Sequence, residues 1–237
     1  MKEPDNYIFG CADLAGCLNE EFADYKYGIS IGRRLDDIII EKAKLTPTRA
    51  YLKHYDRTNE ILTQTLKKIE NELQKNNLTC IYIPPIPENL GGREQLEFNK
   101  RLQYKLSHKL VATRAGLGWI GKTSLFISSR FGPRVRLGSI LSETPLPVNT
   151  GYMDSSRCED CNLCVEACPV KAPSGKVWNS SMERSDFLDV YKCRKHIFNN
   201  YYKKNLMLCA NCLAACPIGV HNEKYQYTSG GSDEKDT

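Results

Sequence analysis

The chain has 237 residues, 41% hydrophobic and 26% charged, with a formal charge of +5 and a sequence pI of about 8.6. That length allows one large domain or two modest ones, and the composition is ordinary for a globular chain. The polar start Met1-Lys2-Glu3-Pro4-Asp5 leads into no apolar signal region, and no apolar run approaches a membrane span; a cytoplasmic location without membrane partners is therefore expected.

In chain order, Tyr27-Gly28-Ile29-Ser30-Ile31-Gly32 alternates like a strand, and Leu35 to Leu45 is helix-like. Thr46-Pro47-Thr48 offers a capping hydroxyl and a proline suited to a first helical turn. From there to Lys75, Tyr51, Tyr55, Leu62, Leu66, Ile69 and Leu73 recur at helical spacing, and Asn76-Asn77 ends the run. Leu78 to Ile83 reads as a short strand closed by Pro84, Pro85 and Pro87. Gly91-Gly92 marks a loop, and Leu96 to about Ala115 reads as a helix. Ser124 to Ser128 and Arg134 to Ser142 read as strands joined by the turn Phe131-Gly132-Pro133.

Pro145, Pro147 and Gly151 form a linker. The expected organisation is an α/β domain over 1–150, a cysteine-rich domain over 151–225 and a polar, disordered tail over 226–237. A helix from Ser185 to about Tyr201 separates two cysteine groups in the second domain.

Eleven cysteines in a chain without a signal sequence point to metal rather than disulfides. Three are scattered (Cys11, Cys17 and Cys80) and read as ordinary small apolar residues. The other eight lie between 158 and 216. Cys158-x2-Cys161-x2-Cys164-x3-Cys168-Pro169 has the spacing of a bacterial ferredoxin run, in which one tight loop wraps three corners of a [4Fe–4S] cubane. Cys209-x2-Cys212-x3-Cys216-Pro217 repeats it with one cysteine displaced, and Cys193 supplies the eighth thiol. In two-cluster ferredoxins the fourth cysteine of each run crosses over. Cluster 1 would take Cys158, Cys161, Cys164 and Cys216; cluster 2 would take Cys168, Cys193, Cys209 and Cys212. Structural zinc is the alternative, but its sites pair two C-x2-C knuckles without the dense run or the Cys-Pro ends.

Eight thiolates and two oxidised cores would bring the section from 158 onward, otherwise neutral, to about −4. The basic excess therefore belongs to the preceding section. Residues 98–142 hold Lys100, Arg101, Lys105, Lys109, Arg114, Lys122, Arg130, Arg134 and Arg136, and no Asp or Glu occurs between Glu97 and Glu143. Two readings stand: a positive field for an anionic cofactor, substrate or nucleic acid, or pairing with acidic helices such as the 56–72 stretch.

Arg114-Ala115-Gly116-Leu117-Gly118-Trp119-Ile120-Gly121-Lys122, then Gly132-Pro133-Arg134-Val135-Arg136-Leu137-Gly138, then the split cysteine motif, resembles the epoxyqueuosine reductases, relatives of the reductive dehalogenases. The strong match runs from about 107 to 220. The resemblance implies a nitroreductase-like cobalamin-binding domain followed by a dicluster ferredoxin-like domain. It implies that electrons from a ferredoxin or flavodoxin pass through two [4Fe–4S] clusters to a corrinoid, with flavin (FMN) as the second choice of cofactor, and then to substrate. In the family that substrate is a modified base of tRNA.

On that resemblance the cofactor-binding candidates are Arg114, Gly116, Gly118, Trp119, Gly121, Lys122, Arg134 and Arg136, the glycines letting backbone approach a planar cofactor. Where the family carries an acidic proton-donor segment, this chain has Leu102 to Lys109 without a carboxylate. His108 and Tyr104 are the substitutes, His108 because it can act as a general acid near neutral pH. Two other readings are a dicluster electron carrier with a docking N-terminal domain, and a tRNA-modifying reductase proper, held below the first for want of that carboxylate.

Overall fold

A computed structural model describes residues 4–87 and 92–220. Its first section is a four-stranded antiparallel sheet of order β1-β2-β6-β3, built from β1 (Tyr7–Asp13), β2 (Tyr27–Arg34), β3 (Cys80–Ile83) and β6 (Val135–Ser142). A separate two-stranded ribbon pairs β4 (Gly118–Ile120) with β5 (Phe126–Ser128). Two further helices of this section are α1 (Asp37–Lys42) and α3 (Gly92–Arg101).

The long helix α2 (Arg49–Lys75) covers one face of the sheet. Thr48 caps it by accepting from the Tyr51 N–H at 3.1 Å. Its buried stripe includes Leu62 and Leu66, which pack with Tyr7, Ile31, Cys80 and Ile140. Gly138 permits the contact, since a Cβ there would stand 2.5 Å from Leu66 Cδ1. On the opposite face α4 (His108–Arg114) packs Val111 against Ala12, Leu14 and Leu141. Ile140 and Leu141 belong to different clusters, as the two-residue period of a strand requires.

The expected strands over 27–32 and 134–142 and the helix to Lys75 are present. β1 was not expected. Its inward positions include Gly10 and Ala12 while Phe9 is 65% exposed, so hydrophobicity alternates in the wrong sense. Gly10 is small because the carbonyl of Ala115 and the Leu117 side chain pass within 3.1 Å of where a Cβ would sit.

The helix expected over 96–115 is two helices, α3 and α4. Leu102 turns to φ +49° and Leu106 drops into the core between them. The helix expected over 185–201 is likewise divided into α6 (Arg184–Phe187) and α7 (Val190–Tyr201). Leu188 is extended, and Asp189 caps α7 by accepting from the Lys192 N–H at 2.8 Å.

The second section has little regular structure beyond α5 (Leu163–Glu166), α6, α7 and α8 (Asn211–Ala215). It shares apolar cores with the first. Leu35, Ile40 and Tyr51 pack with Ala210 and Leu213, and Phe187 packs with Phe126, Phe131 and Leu137. The tail expected over 226–237 lies outside the described residues. Among those described, no helix is long and apolar enough to cross a membrane.

Candidate metal centres and the wall beside them

The eight cysteines lie on turns and short helices of the second section, and among the described residues no three His, Cys, Asp or Glu side chains stand close enough to hold a single metal ion. Cys158 and Cys161 lie on a turn closed by Cys161 N–H donating to the Cys158 carbonyl at 2.9 Å, with Glu159 at φ +42°. Cys164 follows on α5, and Cys168 lies just beyond that helix. Cys212 is on α8, which packs against α5, and Cys216 is its extended C-cap. Cys193 sits in the first turn of α7. All eleven cysteines are free thiols.

The thiols influence one another in two sets. Burial, then Cys158 and Cys161, pushes Cys164 up to about 11; burial, with Cys164 and Cys158, pushes Cys216 up to about 12. In the other set burial, with Cys209 and Cys168, pushes Cys193 up to about 11. Burial, with Cys209 and Cys193, pushes Cys212 up to about 12, and Cys164 also acts on it, so the sets adjoin. Thiols so raised are protonated at neutral pH on their own; a bound cationic centre supplies the charge that makes them thiolate ligands.

A cavity of about 230 Å³ lies beside the first set, lined by Cys158, Cys161, Cys164 and Cys216, with Cys212 of the other set and the exposed Glu159 and Asp160 also on its wall. Its other wall is the β4–β5 ribbon and its turn, with Trp119, Lys122, Leu125 and Ile127. Two features of this wall fit an anionic sulfur-rich group. The buried Trp119 indole N–H has no hydrogen-bond partner among the described residues, and indole nitrogen can only donate. Lys122 is 3% exposed, and its ammonium donates to Asn162 Oδ1 at 2.9 Å.

The eight residues nominated for a planar cofactor do not build one cradle. A Cβ on Gly116, itself at φ +70°, would lie 2.8 Å from the Gly151 carbonyl oxygen; one on Gly118 would lie 2.0 Å from that of Ile127. Gly121 approaches the Ile127 side chain. Each glycine thus admits the chain itself rather than a cofactor. Arg114 donates to the Asp13 carbonyl and lies over the Tyr152 ring. Arg136 donates to Asn59 Oδ1 and lies over Tyr55. Arg134 is fully buried and holds the second section to the first. Trp119, Gly121 and Lys122 belong to the cavity beside the cysteines. A corrinoid is not fitted by this set.

The positive field expected over 98–142 is compensated at five of its nine basic residues. Lys100 and Arg101 pair with Glu97, Lys105 with Glu21 and Glu94, Arg130 with Asp5, and Arg134 with Asp37 and Glu41. The carboxylates come from these short local or distant segments rather than from the 56–72 stretch.

His108 does not have the geometry of a general acid. One ring nitrogen meets Ser139 Oγ at 2.9 Å and the other the Pro84 carbonyl at 3.0 Å. The carbonyl can only accept, so Nε2 carries the proton and Nδ1 accepts from the serine hydroxyl. Burial lowers its pKa to about 4, leaving it neutral near pH 7. Tyr104 stacks on Phe98 with ring centroids 4.6 Å apart, and burial raises its phenol.

Sequence reasoning missed three participants: Asn162, which holds Lys122; Asp189, which caps α7 and acts on Cys193; and Arg157, over the Trp119 ring at 5.9 Å. Asn162 was within reach, because it lies in the spacer between Cys161 and Cys164.

Comparison with known proteins agrees with this geometry. Residues 157–219 match the 4Fe-4S double cluster binding domain family. An epoxyqueuosine reductase from Listeria monocytogenes is 36% identical over 120 residues, covering 48% of this chain and 30% of its own. One from Aliivibrio fischeri is 24% identical over 185 residues, covering 72% and 43%. The tetrachloroethene reductive dehalogenase of Dehalobacter restrictus is 30% identical over 115 residues, covering 45% and 21%. Among solved structures, an epoxyqueuosine reductase superposes with a TM-score of 0.58 at 15% identity over 90% of this chain and 61% of its own. A reductive dehalogenase described with a mechanism for B12-dependent dehalogenation superposes at 0.67, with 14% identity over 91% and 30%. These superpositions establish the fold, and each matched stretch is less than two thirds of the relative's length.

Proposed function

We propose that this chain, which belongs to the superfamily that epoxyqueuosine reductases share with reductive dehalogenases, is an iron–sulfur reductase of the epoxyqueuosine reductase kind. The carrying observation is the pair of adjoining cysteine fours, one of them walled by the β4–β5 ribbon of the N-terminal section. Cys158, Cys161, Cys164 and Cys216 hold one centre; Cys168, Cys193, Cys209 and Cys212 hold the other. When bound, [4Fe–4S] clusters supply single-electron transfer. Leu125 and Ile127 exclude water from the first centre, while Trp119 and Lys122 offer it a donor and a positive charge.

The substrate proposed is the epoxyqueuosine base of a tRNA, and the electron donor a ferredoxin or flavodoxin. The relatives' names favour this reductase reading over a carrier that has lost its chemistry. Cobalamin is suggested by the dehalogenase relatives, yet of the residues nominated for it Arg114, Gly116, Gly118, Arg134 and Arg136 pack on the chain itself.

The test is conversion of epoxyqueuosine-containing tRNA by anaerobically reconstituted protein with a low-potential reductant, with and without hydroxocobalamin or FMN. Loss of epoxyqueuosine supports the proposal. Cluster-loaded protein that converts none under any of these conditions contradicts it and leaves the electron carrier.

A further inference from the structure

Lys122 is an unusual lysine. It is 3% exposed, and its ammonium is held by the neutral Asn162 amide oxygen. No carboxylate lies within ion-pair distance of it among the described residues. Burying an ammonium without a counter-charge is costly, and such a group ordinarily loses its proton or finds an anion. Lys122 lines the cavity of the first cysteine set and acts electrostatically on Cys164. A ligated cluster with four thiolates is the anion available there.

Arg157, Glu159 and Asp160 line the same cavity but are exposed, so solvent screens their charges, whereas Lys122 is buried. A cation stabilises the more negative, reduced form of a centre and a carboxylate destabilises it.

We propose that Lys122 is the built-in counter-charge of the centre held by Cys158, Cys161, Cys164 and Cys216, and that it raises the reduction potential of that centre. The reduced form of the centre is thereby stabilised beside the β4–β5 wall. Lys122 is a positioning residue for charge, and the assignment rests on the reading that the two fours hold clusters.

The experiment is a mediator-poised redox titration of anaerobically reconstituted protein, followed by electron paramagnetic resonance, after iron and sulfide content has been measured. Lys122→Met should lower the midpoint of one cluster and leave the other in place, and Lys122→Arg should restore it. Asn162→Asp, which sets a carboxylate against the ammonium while changing little in size, should lower the same midpoint and serves if Lys122→Met loads poorly. Unchanged midpoints in both Lys122→Met and Asn162→Asp overturn the proposal, as does an equal shift of both clusters. Wild-type protein that binds no iron overturns instead the cluster reading on which it rests.

Discussion

Arg134 donates from Nη1 to the backbone carbonyl of Cys216 at 2.9 Å, across 82 residues of chain. The same guanidinium reaches the Ala214 carbonyl at 3.1 Å and Glu41 at 3.1 Å, and Asp37 at 3.3 Å, with no exposure to solvent. One arginine at the start of β6 thus fixes the end of α8, and with it the position of a cysteine in the first set. A planar fork with five donors can satisfy several acceptors at once in a way a lysine cannot.

Arg134→Met should therefore destabilise the fold by about 3–5 kcal/mol, the range for removing one partner of a buried ion pair. Arg134→Lys should recover only part of that, because two carbonyls and two carboxylates cannot be reached from one ammonium. Denaturant titration of the two variants measures the difference, and a lysine variant with wild-type stability would contradict it.

His108 makes stability depend on pH. Its folded pKa, about 4, lies below the ordinary histidine value because burial disfavours the imidazolium. The unfolded chain binds a proton below about pH 6.5 that the folded chain refuses. Stability from this site is thus full above that pH and falls as pH drops from about 6.5 toward 4, by about 1–3 kcal/mol. Urea midpoints across this range should fall less in His108→Gln than in the wild type; parallel curves would show that His108 is not the group responsible.

Gly132 sits at φ +56°, and a Cβ there would lie 1.8 Å from the Ile218 carbonyl oxygen. Gly132→Ala should force the β5–β6 turn away from the segment after Cys216 and lower cluster retention. The visible absorbance of reconstituted protein over time checks this, the expected outcome being faster bleaching in air than wild type.

What was legible in the sequence follows from how local the determining forces are. The run from Cys158 to Cys168 was readable because a cluster loop is specified by spacing alone, and Cys193 followed because two cubanes need eight thiols. The long helix was readable from Tyr51 to Leu73. Strand β5 was readable within Ser124 to Ser128, but its partner β4 was not, since Gly118 and Gly121 look like loop residues until Ile127 is placed against them. The carboxylate-free stretch misled for a similar reason: Asp5, Glu21, Asp37 and Glu41 answer its charges from far upstream. His108 was read as an acid because nothing in the sequence places the Pro84 carbonyl and the Ser139 hydroxyl at its two nitrogens.

The central claim is that eight cysteines hold two clusters in crossed sets, with Cys193 drawn from α7. The most direct measurement is the iron and acid-labile sulfide content of anaerobically reconstituted wild type, Cys193→Ala and Cys80→Ala. The account predicts about eight irons per chain for wild type and Cys80→Ala, and about four for Cys193→Ala. Fewer than about six in well-reconstituted wild type, or an unchanged content in Cys193→Ala, would contradict it.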